Sequence, residues 1–353
     1  MKVVLASPNF HQPRGNTVTV QRMADSLENL GIQTEIISIS DDQPITVLPE
    51  ADLVHGFHAY RFYRFMQQLE NKPSTYIVTI TGTDVNHFLF DENTRADVVT
   101  CLIEAKAIHV FNIEAKETIQ TEIPEVKEKL FTIPQGTSNF PTTTFPVQKD
   151  PNSFLFVLPA GIRKIKNVPS AITMLKKLHD KDKSVRLWIV GPILEEAEGN
   201  NVKQLVKDNE EWVTYLGQVP HEQMGGIYTQ ANCMLNTSHS EGQSSAILEA
   251  MGFGLSVLVS DNEGNNSIVA DQETGFVYKT ENQFLDYAEQ IMNNKALRQA
   301  IGANAKSYVD HKHSADYEAQ YLLEIYQKAV KKECENMSKE EIIKLTSLST
   351  KGG

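Results

Sequence analysis

Short apolar runs recur along this chain, and most are separated by stretches whose apolar residues return every three or four positions. "KVVLAS" at 2–7 has strand length. "TVTVQRMADSLENLG" follows, with Val20, Met23, Ala24, Leu27 and Leu30 at helical spacing and Gly31 as its stop. "TEIISIS", "DLVHG", "YIVTIT", "AIHVF" and "LFTIP" continue the series, mostly with helix-like segments between them. Strands alternating with helices predict a parallel sheet covered on both faces.

Residues 137–152, "TSNFPTTTFPVQKDPN", break this rhythm, because three prolines and a threonine run allow no regular element. The alternation then restarts. "SFLFVLPA" leads to a helix from about Asn167, then "VRLWIVG", a helical segment near 200–208, "VTYLG", "CMLNTS", a helix starting at Ser244 or Ser245, and "LSVLVS". A last helix is expected over 315–332, "ADYEAQYLLEIYQKAVKK", before a polar end. The pattern predicts an α/β protein of two Rossmann-like, doubly wound domains. Their expected bounds are 1–140 and 153–314, with a linker at 141–152, a closing helix at 315–333 and a polar tail at 334–353. Ligands of such sheets bind at the carboxyl ends of strands where the strand order reverses. A cleft between two facing loop edges is the expected site.

At 353 residues the chain exceeds one ordinary core and fits two domains of roughly 150–180 residues. A formal net charge of −12 argues against nucleic acid, whose phosphates need a clustered basic surface. It also disfavours membrane contact through anionic lipid. Any phosphate ester must therefore meet local positive charge. Cys101, Cys233 and Cys334 have no metal-like spacing and read as reduced thiols of a cytoplasmic protein. The apolar start of the chain is shorter than a signal-peptide core, and no window approaches the ~20 apolar residues of a spanning helix.

Candidate chemistry concentrates in "SEGQSSAILEAMGFG" at 240–254, where seven residues separate Glu241 from Glu249. Gly242, Gln243, Ser244, Ser245 and Ala246 form a small-residue entrance to a helix whose first N–H groups and dipole favour an anion. Carboxylates flank that entrance, placed to accept hydrogen bonds from hydroxyls on either side of a phosphate. Ribose, diphosphate and hexose in sequence answer that description, which is a nucleotide sugar. The blander reading is an acid paired with the dipole and one solvated helix glutamate. In "LPAGIRKIKNVPSA", Gly161 ends a strand and Arg163, Lys164 and Lys166 crowd the loop, supplying the local charge that a departing diphosphate needs.

Together these residues resemble the retaining GT-B glycosyltransferases of family four, whose glutamates, seven residues apart, precede "EAM…G.PV". Here "EGQSSAILEAMGFGLSVLVSD" carries that motif, and Arg163 and Lys166 match the family's basic pair. "TYLGQVPHEQMGGIYTQANCMLNTS" and "NEGNNSIVADQETGFVY" keep the family's spacing. Within the family the chain is most similar to the glycosyltransferase 1 domain-containing group and more distantly to selenosugar synthases, through "RGNTVTVQR", "FHAYR", "TGTDVN" and "GIRKIKN".

The resemblance implies hexosyl transfer from a nucleotide diphosphate sugar, with UDP as the nucleotide, and retention at the anomeric carbon. It implies no cofactor and no metal, because cations of the protein neutralise the leaving group. Arg163, Lys166 and Glu241 are the implied catalytic residues. Gly161, residues 242–246, Glu249 (on the ribose) and Asn265 are the implied donor contacts. Gly15, Asn16, His58, Arg61, Thr81 and Asp84 fall on the acceptor side, and the acceptor, a small molecule or a protein, is not encoded. The chain departs from the family at Thr81, where many members carry a histidine, so an imidazole role passes to His58 or is absent. His58 and Arg61 could hold an anionic acceptor. "DHKHSAD" reads as a solvated turn rather than a metal site. Two rivals remain: a nucleotide-sugar epimerase, which needs no acceptor, and a nucleotide-sugar-binding protein without catalysis.

Overall fold

The computed structural model describes residues 1–11, 15–40, 45–137 and 144–336. Residues 138–143, which include the start of the expected linker, and the expected tail beyond 336 lie outside the described residues. The chain divides after Pro134. One unit holds the described residues of Met1–Gln12, Val20–Pro134 and those from Asp316 on; the other holds those of Pro13–Thr19 and Gln135–Ala315.

The first unit runs β1 (Lys2–Ser7), α1 (Gly15–Asn29, from Val20 on), β2 (Gln33–Ser38), β3 (Leu53–Phe57), α2 (Ala59–Met66), β4 (Tyr76–Thr79), α3 (Arg95–Glu104), β5 (Ala107–Val110), α4 (Ile113–Glu122) and β6 (Leu130–Thr132). Its strands pair in parallel in the order β2-β1-β3-β4-β5-β6. The second unit runs β7 (Phe154–Pro159), α5 (Val168–Lys181), β8 (Val185–Val190), α6 (Glu196–Asp208), β9 (Val213–Gly217), α7 (Met224–Tyr228), β10 (Cys233–Asn236), α8 (Ser245–Gly252), β11 (Ser256–Ser260), α9 (Glu263–Asn266), β12 (Phe276–Tyr278), α10 (Glu281–Asn293) and α11 (Lys295–Lys312). Its order is β12-β11-β10-β7-β8-β9, again all parallel. A last helix, α12 (Ala315–Asn336), adds to the first unit from Asp316 onward.

Both sheets are covered on two faces, which is why their central strands read as unbroken apolar runs. In the first, α2 and α3 bury one face through Phe62, Phe65, Val98 and Leu102. On the other, Val20, Met23 and Leu27 of α1 meet Leu322, Ile325 and Tyr326 of α12. In the second, α5 and α10 cover one face and α7, α8 and α11 the other. A buried ion pair fastens α12: Arg22 donates to both carboxylate oxygens of Glu318 at 2.8–3.2 Å, with side chains 4% and 1% exposed. Losing one partner of such a pair costs about 3–5 kcal/mol, because the other charge stays buried. Arg22 closes "RGNTVTVQR", so that end of the motif is structural.

A second polar device runs through the sheet interior. Tyr326 Oη lies 2.7 Å from His55 Nδ1, His55 Nε2 2.6 Å from Thr79 Oγ1, Thr79 Oγ1 2.9 Å from His109 Nδ1, and His109 Nε2 2.9 Å from the carbonyl of Ile133. A carbonyl only accepts, so His109 carries its proton on Nε2 and accepts from Thr79 on Nδ1. Thr79 then accepts from His55 Nε2–H, and Tyr326 donates to His55 Nδ1. Every polar atom is satisfied with both imidazoles neutral. Burial drives His55 well below the ordinary histidine value, helped by His109, and drives His109 down to about 4.

These folded pKa values lie below the unfolded one, so the contribution to stability is present above pH ~6.5 and is lost as pH falls toward the folded values. For His109 alone the loss amounts to about 3 kcal/mol. Urea unfolding of the first unit, followed by hydrogen exchange of β3–β5, should show stability dropping steadily from about pH 6.5 to about pH 4. A midpoint that holds across this range is incompatible with neutral buried imidazoles.

Candidate active site in the second unit

In the second sheet β8 and β9 build away from β7 on one side, while β10, β11 and β12 build away on the other. The order therefore reverses between β7 and β10, and ligands of doubly wound sheets bind at the carboxyl ends of such neighbours. The loop after β7 carries Gly161, Arg163 and Lys166, and the loop after β10 leads through Glu241 to α8.

Lys166 and Glu241 meet there. Lys166 Nζ lies 2.5 Å from Glu241 Oε1, with side chains 15% and 8% exposed. The same oxygen accepts from Ser238 Oγ at 2.6 Å and from Asn236 Nδ2 at 3.0 Å. Desolvation alone would raise the Glu241 pKa; the Lys166 charge and these donors outweigh it, and the carboxyl sits below its ordinary value. Arg163 is half-buried on extended backbone, and its buried Nε has no partner among the described residues. An unmet donor inside a protein costs free energy, so this guanidinium is primed for an acceptor.

Helix α8 starts as its sequence demands. Ser244 is the N-cap with no side-chain hydrogen bond, and its carbonyl already takes the amides of Ile247 and Leu248. The amides of Ser245 and Ala246 have no protein partner among the described residues, which leaves the anion-binding end of the helix free. Gln135 braces this entrance. Its backbone N–H donates to Gln243 Oε1 at 3.2 Å and its side-chain amide reaches Ser245 Oγ at 2.5 Å. His313 in turn contacts the Gln135 carbonyl through Nδ1 at 2.7 Å. The expectation of a solvated turn at "DHKHSAD" is corrected here: His311 is exposed, but His313 is 2% exposed because its ring supports Gln135.

Glu249 faces a different set of partners. One oxygen takes His221 Nε2 and the other Tyr228 Oη, both at 2.9 Å. Burial, then the adjoining carboxylate, pushes the Tyr228 phenol well above its ordinary value, so it stays a donor. Of this trio only His221 is substantially open, its side chain being 37% exposed. Asn265 is fully buried and donates to Asn236 Oδ1 and to the Ser260 carbonyl, and its own Oδ1 has no partner among the described residues. Gly264 passes so close to the loop that a Cβ would lie 2.0 Å from the Gly242 carbonyl oxygen. Among the described residues no group of three His, Cys, Asp or Glu side chains could hold a metal ion.

Of the acceptor-side candidates, His58, Arg61, Thr81 and Asp84 lie in the first unit and Gly15 and Asn16 in the second, and two of those expectations are corrected. Asp84 is 0% exposed and its carboxylate accepts the amides of Ala59, Thr81 and Gly82 at 2.8–3.1 Å, so it shapes the loop instead of meeting acceptor hydroxyls. His58 caps α2 in a left-handed conformation with φ +68°, 3% exposed, with Nε2 3.1 Å from Thr83 Oγ1. Burial lowers its pKa, against the pull of Asp84, so the ring does not offer the charge expected for an anionic acceptor. Arg61 is exposed beside it, Thr81 is half-buried, and Gly15 and Asn16 open α1.

Residues 139–308 match the family model "Glycosyl transferases group 1". The fold is GT-B. It aligns with sucrose-phosphate synthase of Thermosynechococcus elongatus over 93% of this chain and 99% of that one, at a TM-score of 0.73 and 16% identity. The Anabaena protein HepE, solved in complex with UDP-glucose, aligns over 93% of this chain and 100% of that one, at 0.72 and 14%. In sequence the chain is similar to glycosyltransferase 1 domain-containing protein 1 of Xenopus tropicalis, 27% identical over 86% of this chain and 91% of the relative.

Gly264→Ala should push the 241–242 backbone aside, since the obstacle is a carbonyl and not a flexible side chain. The expected cost is about 1–3 kcal/mol, read as a lowered melting temperature, with loss of any ligand held at α8. An unaltered melting temperature would show that the close approach carries no constraint.

Proposed function

We propose that the protein is a glycosyltransferase that moves a hexosyl group from a nucleotide diphosphate sugar, with UDP as the nucleotide, to an acceptor with retention of configuration. The observation that carries this reading is the arrangement of Glu241, Lys166, the unmet Arg163 Nε and the open amides of α8 at one reversal point of the sheet. Lys166 keeps two N–H donors beyond the one given to Glu241. With Arg163 and the α8 amides, it would receive the diphosphate as its charge grows during bond breaking. Glu241 Oε2 would take a sugar hydroxyl. Glu249, fixed by His221 and Tyr228, would take ribose through its remaining lone pairs. A donor phosphate oxygen would accept the acceptor's proton on the same face.

On this reading Lys166 and Arg163 would take the part of a divalent ion, so activity should persist in excess EDTA. Loss of turnover on chelation, with recovery on adding magnesium or manganese, would sink the metal-free part of this reading. Thermal shift against a panel of nucleotide sugars tests the donor class, since a ligand at 100 times its dissociation constant adds ~2.7 kcal/mol of stability. Incubation with donor alone separates transfer from epimerisation.

The carboxylates should divide the donor between them. Glu249→Gln should weaken UDP and intact donor alike, whereas Glu241→Gln should spare UDP and weaken the sugar nucleotide. Each loss is expected at ~1.5–3 kcal/mol, the scale of a hydrogen bond to a charged group. Calorimetry on both variants with both ligands decides it. Equal losses everywhere would mean that the pair supports the loop.

A further inference from the structure

The Glu241 carboxylate is bonded unequally. A carboxylate offers about four lone-pair sites over two oxygens, yet all three donors converge on Oε1: Lys166 Nζ, Asn236 Nδ2 and Ser238 Oγ. Oε2 has no partner among the described residues and is not one of the buried orphaned atoms, so solvent reaches it. Asn236 is the donor with no freedom of its own. It ends β10, is 6% exposed, and its Oδ1 accepts from the backbone of Ser238 at 3.0 Å and from Asn265 Nδ2 at 3.3 Å. With Oδ1 committed twice, its Nδ2 can only point at Glu241. Lys166 reaches the same oxygen from a flexible stem and Ser238 from a rotating hydroxyl.

We propose that Asn236 is a positioning residue for sugar transfer: its amide donor pins Glu241 Oε1 beside Lys166 and so presents Oε2 to a hydroxyl of the transferred sugar. The proposal rests on the reading of Glu241 as a sugar-binding residue. Asn236 itself touches no donor atom in this scheme. Its effect is to keep the carboxylate in the one orientation that offers a bare acceptor while leaving Lys166 with spare N–H groups for phosphate.

The test is Asn236→Asp, which keeps the shape and the doubly committed oxygen and replaces only the donor. Near neutral pH the new carboxylate would face Glu241 without a proton between them, and protonation would restore the donor. UDP-glucose affinity should fall at least tenfold near pH 7.5, UDP affinity should stay within twofold, and the UDP-glucose loss should shrink as pH is lowered toward 5. A merely structural role gives no such acid recovery. Equal weakening of UDP and UDP-glucose, or no weakening of either, would overturn the proposal. If the unaltered protein binds neither ligand, the functional reading fails. The positioning claim is then read without ligand, from the carbon-13 titration of the Glu241 carboxyl, which should move to higher pH by at least one unit in N236D. An unmoved titration would overturn it. If N236D does not fold, N236A and N236S are measured instead, and the serine, which keeps a donor, should recover part of the UDP-glucose affinity that alanine loses.

Discussion

A carboxylate taken out of water must be given back its hydrogen bonds, and Glu241 organises the carboxyl edge of the second sheet around that requirement. Its desolvation is offset by one cation and two neutral donors, each from a different part of the chain: the loop after β7, the end of β10 and the turn that follows. These partners exist at one place because β7 and β10 are neighbours although far apart in sequence. The buried amide of Asn265 extends the arrangement to α9, and Gly264 lets that helix approach the loop closely enough to make the contact. Loop, strand end and short helix thus depend on one buried charge.

Much of the second unit was legible because its chemistry is local. The Gly-and-Ser run before an apolar helix predicts an open N-terminus at Ser244 or Ser245, and α8 begins at Ser245. Strand placement was equally local: "KVVLAS" and "VTYLG" coincide with β1 and β9. What the pattern could not carry is long-range. Gln135, just after the division between the units, meets residues 108 and 110 positions away, and nothing near it signals a site. His221 and Tyr228 look like ordinary helix-flanking residues until α8 is laid beside them. Strand β12 is three residues long, too short for a periodicity to register.

Polar residues in the first unit misled for the opposite reason. Sequence marks a histidine or aspartate near a strand end as available chemistry, but burial decides whether it is. Asp84 spends its carboxylate on three backbone amides, a use that a turn aspartate shares with helix caps. His55 and His109 carry no local signal inside apolar strands, yet they form a continuous donor chain from α12 across the sheet. Buried polar networks of this kind tolerate no missing member, because each deletion strands a donor or acceptor at low dielectric.

The two units therefore use buried polarity differently, and the difference bears on where chemistry can occur. In the first, the histidine relay is closed at both ends and both rings are held neutral, so it offers a ligand nothing. In the second, the network around Glu241 is left open at defined atoms: Oε2, the remaining Lys166 protons, Arg163 Nε and the first amides of α8. Three of those four are donors, concentrated in a protein whose net charge is −12. A general negative field repels anions over a Debye length of about 8 Å at physiological salt, so only a ligand brought into contact with these donors would profit from them. An anion with hydroxyls beside it meets that condition at both kinds of open atom, its charge at the donors and a hydroxyl at Oε2.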